Sequence, residues 1–191
     1  MIDIHTHHHR LNAVVDIDPV GVPLSRLRLE RGYMYSVGIH PWNVERATTA
    51  DLRAVMALAV ERSVVAIGET GLDTLRPKGC MRMQTALFEW HAALSEEVGK
   101  PLILHVVKAW GEIIALRRRL APSQPWIIHG FRGKPQLAEE LVRCGFYLSF
   151  GAKFNPMALK VTPPSRRLME TDDSDVPLAL VRAAQRRVLE V

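Results

Sequence analysis

The sequence predicts an α/β fold, a compact barrel of eight parallel strands with reduced helices after the first strands, and three observations lead there. Short apolar runs recur along the 191 residues, and most are followed by a stretch whose apolar spacing has the helical rather than the strand period. Histidine, glutamate or aspartate stands at the carboxyl end of most runs. No glycine-rich phosphate loop lies between a strand and a helix, which weighs against the alternative, a doubly wound open sheet.

Ile2 and Ile4 alternate with Asp3 and His5, so the first strand starts almost at the first residue. Successive strand side chains face opposite sides, which puts His5 and His7 on one side about 7 Å apart along the backbone. A purification-tag remnant or a disordered histidine-rich start is the competing reading of residues 1–9. A tag is normally a longer uninterrupted histidine run and does not sit on an alternating strand. Ala13–Ile17 is the second strand. Pro19, Gly21 and Pro23 then leave room for at most a helical turn around residues 24–29. Met34–Val37 is the third strand and enters the sharp turn Gly38-Ile39-His40-Pro41-Trp42.

Thr48 or Thr49 can cap a helix carrying Leu52, Val55, Met56, Ala59 and Val60 at helical spacing. Residues 64–69 form a fourth strand, apolar as a strand buried on both faces should be. The long helix after it places Met83, Leu87, Trp90, Leu94 and Val98 on one stripe, and Gly99-Lys100-Pro101 stops it. Residues 102–105 are strand five, 109–120 a helix, 126–129 strand six, 136–143 a helix and 146–150 strand seven. Pro163-Pro164 precede strand eight at 167–172, and a last helix at 176–191 carries Val181, Ala184, Val188 and Val191 on one face. One domain over residues 1–191 accounts for the whole pattern.

Hydrophobic residues at 48% and charged residues at 24% are those of an ordinary globular protein. No apolar run is long enough to span a bilayer and no leader pattern opens the chain, so the expectation is a cytoplasmic protein without a membrane partner. No obligate protein partner is evident. Cys80 and Cys144 belong to no paired ligand spacing, which predicts reduced thiols and argues against a cysteine-built zinc site. The formal charge of +5 favours a polyanionic or phosphorylated substrate over a cationic one. Part of that excess lies in Arg117-Arg118-Arg119 and Arg186-Arg187, which read as solvated helix faces.

The positions of the ionisable residues point to chemistry. His5 and His7 end strand one, His40 follows strand three, Glu69 ends strand four, and His105, His129 and Asp172 end strands five, six and eight. In a barrel these ends form one rim around one pocket. A single histidine after an apolar run is commonly a satisfied core group, but a pattern repeated at six strand ends argues for a shared site. Imidazole and carboxylate together suit zinc, manganese, iron or cobalt, with magnesium admitted where carboxylates and water dominate. Four histidines and two carboxylates exceed the needs of one catalytic ion, whereas two ions bridged by a carboxylate would use them all.

Taken together, Asp3-Ile4-His5-Thr6-His7, Gly38-Ile39-His40-Pro41, Ile67-Gly68-Glu69-Thr70-Gly71-Leu72-Asp73, Ile103-Leu104-His105, His129-Gly130-Phe131-Arg132-Gly133 and Glu170-Thr171-Asp172 resemble the successive motifs of the TatD family of metal-dependent hydrolases, in the family's order. The resemblance implies a TIM barrel with two divalent metal ions (zinc, manganese or magnesium) and a deoxyribonuclease-type phosphodiesterase. In such an enzyme a metal-activated water cleaves phosphodiester bonds of DNA, with single-stranded DNA or a small phosphoester as substrate. It further implies that His5 and His7 hold one ion, His105 and His129 the other, and Glu69 both. Asp172 would complete the first shell and take the proton of the attacking water, and His40 would lie at the rim near the substrate phosphate.

The chain departs from the family pattern in three places. The region between strands one and three is short, the family's arginine two residues after His105 is replaced by Val107 with Lys108 next, and the family's C-terminal segment is missing after Val191. Lys108 and Arg132 are therefore, with His40, the expected substrate contacts. Lys153, also in a loop after a strand, reads equally as a phosphate contact or an ordinary loop charge. His8 and His9 are expected in solvent, His91 as a structural residue, and Asp73 as a brace for the loop after Glu69. Two other readings remain open here. One is a hydrolase of a small amide, lactone or aminoacyl ester, and the other a non-catalytic metal-binding scaffold, whose sign would be a replaced ligand.

Overall fold

In the computed structural model, which describes residues 2–75 and 80–190, the strands follow one another in sequence order around one sheet. They are β1 (Asp3–Thr6), β2 (Ala13–Ile17), β3 (Met34–Val37), β4 (Val64–Asp73), β5 (Leu102–Val107), β6 (Trp126–Ile128), β7 (Tyr147–Phe150) and β8 (Arg167–Met169), each pair of neighbours parallel. The seam is closed beyond the last strand. Thr6 bridges Asp172 in parallel, the His7 N–H donates to the Asp172 carbonyl at 3.2 Å, and the Asp172 N–H donates to the His5 carbonyl at 3.0 Å. The architecture is therefore the eight-stranded TIM barrel.

Helices α1 (Thr49–Ala59), α2 (Met81–Val98), α3 (Trp110–Leu120), α4 (Pro135–Arg143), α5 (Pro156–Val161) and α6 (Leu178–Leu189) lie between and after the strands from β3 onward. From β1 to β3 the connections hold only the 3-10 turn Leu24–Arg26, as the proline and glycine content of that segment predicts. Thr48 is the residue that caps α1, in a reciprocal pair with Asp51. No helix among the described residues is long and apolar enough to cross a membrane.

Several sequence expectations are corrected. Strand β4 runs on to Asp73, because its ladder with β5 continues from Thr70 to Asp73 after a register shift. The regular ladder of β8 ends at Met169, short of the expected Asp172. Helix α5 was not anticipated: Asn155 accepts from the N–H groups of Met157 and Ala158 and Pro156 opens the first turn, but six residues are too few to show a period. Helix α2 buries Gln84, Phe88, His91, Ala92, Leu94 and Ser95, and Met83 is exposed. That face is polar enough to escape hydrophobic periodicity because its polar groups bond to backbone. Gln84 exchanges two hydrogen bonds with the Asp73 main chain, at 2.8 and 3.2 Å, and Ser95 donates to the Lys100 carbonyl. Met56 and Val60 of α1 and Ala184 of α6 likewise point outward. Met1 and Val191 lie outside the described residues.

The apolar core holds Phe88, Trp126, Phe131, Phe146 and Phe150, all fully buried, and the Phe88 ring meets Trp126 edge-on at 5.0 Å. Two glycines allow β4 to lie tight against β5. A Cβ at Gly68 would stand 2.4 Å from the Ile103 carbonyl oxygen, and one at Gly71 would stand 2.0 Å from that of His105.

Candidate metal centre

The carboxylate of Glu69, on β4, is the hub. It is 2% exposed, and its two oxygens face different sets of nitrogens. Oε1 lies 2.8 Å from His129 Nε2, 2.9 Å from His105 Nδ1 and 3.1 Å from His40 Nε2. Oε2 lies 3.2 Å from His5 Nε2 and 3.5 Å from His7 Nε2. Asp172 Oδ1 stands on the same side, 3.5 Å from His7 Nε2 and 3.8 Å from His5 Nε2. The structure thus brings together His5, His7, Glu69, His105, His129 and Asp172, the six residues the strand ends point to.

Second carboxylates stand behind three of the imidazoles. Nδ1 of His7 faces Asp16 at 3.9 Å, Nε2 of His105 faces Asp73 at 3.3 Å, and Nδ1 of His129 faces Glu170 at 3.5 Å. A metal-binding histidine typically turns its other nitrogen to a carboxylate in this way, which fixes the ring and raises its basicity. Asp16 itself accepts from the Glu69 N–H at 2.8 Å and the Ser36 hydroxyl at 3.0 Å. Glu170 accepts from the Gly130 N–H at 2.6 Å. Asp73 does brace the following turn, accepting from the Leu75 N–H at 2.8 Å, and also takes the Trp42 indole N–H at 2.6 Å. Sequence reasoning missed Asp16 and Glu170. The available signal was a carboxylate inside an apolar strand and another two residues before Asp172.

His40 is arranged differently. Expected at the rim, it is only 14% exposed and approaches Glu69, because the Asp18 carboxylate accepts its backbone N–H at 3.0 Å and the side chain of Asn43 at 2.7 Å. Its Nδ1 accepts the Trp42 backbone N–H at 3.1 Å. A neutral imidazole accepting at Nδ1 carries its proton on Nε2, so His40 presents an N–H to the site instead of a lone pair. That makes it a hydrogen-bond donor beside the candidate metal ligands.

The donor set fits divalent cations. Three groups have nitrogen and oxygen atoms all within 4.8 Å of one another: His5 with His7 and Glu69, His5 with His129 and Asp172, and His40 with Glu69 and His105, where His40 contributes its N–H. Nε2 of His5 and Oε2 of Glu69 are buried without a hydrogen-bond partner, a costly state unless an ion takes up the lone pairs. Electrostatics agree. Burial opposes ionisation of Glu69, but the charge of His129 and hydrogen bonds from His105, His129 and His40 hold its carboxyl well below the usual range. Burial also works against a charge on His129, yet Glu69 and Glu170 push its pKa well above the ordinary value. The field at this point favours positive charge.

Above the hub lies an open cavity of about 480 Å³, walled by His7, Asp16, His40, Trp42, His105 and Asp172 among others. Arg132 is exposed and borders adjoining depressions instead. Lys108 does not line the cavity: it takes a left-handed turn, φ 52°, at the end of β5 and faces solvent. His8 and His9 are in the surface loop, as expected, with 39% and 48% of their side chains exposed. His91 is structural. It accepts the Ile39 N–H at 3.1 Å, and its Nδ1 lies 2.8 Å from the Leu87 carbonyl.

Comparison with known proteins agrees with this arrangement. The family model described as TatD related DNase matches residues 24–189. An uncharacterised metal-dependent hydrolase of Bacillus subtilis, YabD, is 34% identical over 152 residues, which is 75% of this chain and 60% of that protein. The 3′-5′ ssDNA/RNA exonuclease TatD of Edwardsiella piscicida is 30% identical over 146 residues, 72% of this chain and 56% of that one. The matches thus span less than two thirds of these relatives' length. The crystal structure of YjjV, a TatD homologue from Escherichia coli, shares the fold with a TM-score of 0.78 at 23% identity, covering 92% of this chain and 78% of that chain. Glu69 among its histidines, the barrel that holds them and the match over residues 24–189 have one source: the chain belongs to the TatD family of metal-dependent hydrolases.

Proposed function

We propose that the protein is a two-metal phosphodiesterase that cleaves DNA, with single-stranded DNA as its substrate. The observation that carries this reading is the division of Glu69, one oxygen toward His105 and His129, the other toward His5 and His7. A carboxylate so placed would hold two cations, one with His5 and His7 and the other with His105 and His129. When bound, such a pair supplies the positive charge that acidifies a water and steadies the attacking and leaving oxygens of a phosphoryl displacement. Asp172, with 22% of its side chain exposed and on the cavity wall, would accept the proton of that water. His40, its Nε2–H held by the Trp42 contact at Nδ1, donates to an oxygen of the phosphoryl group. The formal charge of +5 suits a polyanion, and the Edwardsiella relative's name describes an exonuclease of single-stranded DNA and RNA.

The test is a hydrolysis panel on purified protein with zinc, manganese, magnesium or no added metal, run beside a measurement of bound metal. Nucleotides should be released from single-stranded DNA only with metal, and about two ions should be bound per chain. Activity that survives both chelation and His105→Ala, or turnover of small amides and esters but not DNA, would overturn the reading.

A further inference from the structure

Two cations that the centre does not use stand together next to it. Arg132, in the loop after β6, and Lys153, in the loop after β7, line one depression of about 250 Å³. Asp172 and Asp173 wall both this depression and the main cavity, so the two spaces adjoin. Arg132 also borders a third hollow, about 260 Å³, shared with His105 and His129. Among the described residues neither Arg132 nor Lys153 makes a side-chain hydrogen bond or ion pair. Of the nearby carboxylates, Glu170 is turned to His129 and the Gly130 N–H and Asp172 to His5 and His7, while the exposed Asp173 stands on the wall shared with the main cavity and leaves the two cations in excess of it.

Both residues sit in short loops whose neighbours are anchored to the barrel. Phe131 is buried in the core and its N–H donates to the Ser149 carbonyl at 2.9 Å, so Arg132 is forced outward before Pro135 begins α4. Lys153 lies between β7 and the Asn155 cap of α5. Two donors of positive charge that line one hollow and have no partner among the described residues suit an anion of phosphate size.

We propose that Arg132 and Lys153 seat a second phosphate of the substrate, one nucleotide unit away from the bond that is cleaved. The pocket would thus select polynucleotides or terminally phosphorylated dinucleotides over isolated phosphoesters. This rests on the phosphodiesterase reading for its substrate class. The pocket itself is tested by binding.

The probe is dithymidine joined by a methylphosphonate link, which resists hydrolysis, prepared with a 5′-phosphate, a 3′-phosphate or neither. Calorimetry on the metal-loaded protein should show that a phosphate at one end tightens binding by about tenfold or more. Arg132→Gln with Lys153→Gln should erase that preference, and Arg132→Lys with Lys153→Arg should keep most of it. Absence of a preference in the wild type overturns the pocket. So does a preference that survives the double glutamine variant, since the terminal phosphate is then bound at the metals. Cleavage of ordinary dithymidine monophosphate is measured in parallel. A binding preference without cleavage rejects the phosphodiesterase reading and keeps the anion pocket, and cleavage without a preference does the reverse.

Discussion

Two sides of the barrel hold the centre by different means. From β4 to β7 the strands are clad by helices, and apolar contact fixes them: Phe88 of α2 packs on Trp126 of β6, and Ile67, Leu102, Leu104 and Ile128 are fully buried. Around β8, β1, β2 and β3 helices are scarce and carboxylates do the fixing. Asp3 accepts from the Thr171 N–H at 3.0 Å and its hydroxyl at 2.6 Å, Asp16 from Ser36 and Glu69, and Asp18 from His40, Asn43 and Val20. Packing degrades by increments when a side chain is trimmed. A buried polar network fails at the bond that is cut, because the partner left behind is desolvated and unpaired.

The largest effect is expected where the sides meet. Glu69→Gln should lower phosphodiester hydrolysis by roughly ten-thousandfold and reduce bound metal, read by steady-state kinetics and metal analysis. On the clad side Phe88→Ala should cost about 3–5 kcal/mol of stability in denaturant unfolding, with bound metal retained in the folded fraction. On the bare side Asp3→Ala should cost less, about 1–3 kcal/mol, yet lose metal, because it frees Thr171 beside Asp172 and releases the His5 backbone. Equal metal retention in both variants would erase the contrast.

A finer probe is His91, a polar clamp on the clad side. Burial holds its pKa near 4, below the 6.5 of an exposed imidazole, so the unfolded chain takes up a proton more readily than the folded one. Its stabilising contribution is complete above pH 6.5 and is lost as pH falls toward 4. In chelated protein the stability advantage of wild type over His91→Gln should shrink by about 2 kcal/mol between pH 7 and pH 5. An advantage unchanged over that range would mean the ring is not held neutral.

The same contrast explains what the sequence discloses. Apolar periodicity is a signal of packing, so the clad side could be read closely: 109–120 against the observed Trp110–Leu120, and 136–143 against Pro135–Arg143. The centre was legible because chemistry at strand ends is positional, and His5, His7, Glu69, His105, His129 and Asp172 all meet in space. The carboxylates behind them were not. Asp16 and Glu170 act through partners on or just after other strands, 9 to 53 residues away, a relation that no local spacing carries. The inner face of α2 escaped for the same reason, since Gln84 and His91 are bonded inward to other elements.

The seam between Thr6 and Asp172 has a consequence for how the protein comes into being. A ribosome delivers His5 and His7 first and Asp172 some 166 residues later, so a nascent chain lacks the Asp172 carboxylate for most of its synthesis. Only when the last strand arrives is the hoop fastened, and the bonds that close the barrel at His5, Thr6 and His7 are the same ones that bring Asp172 to the centre.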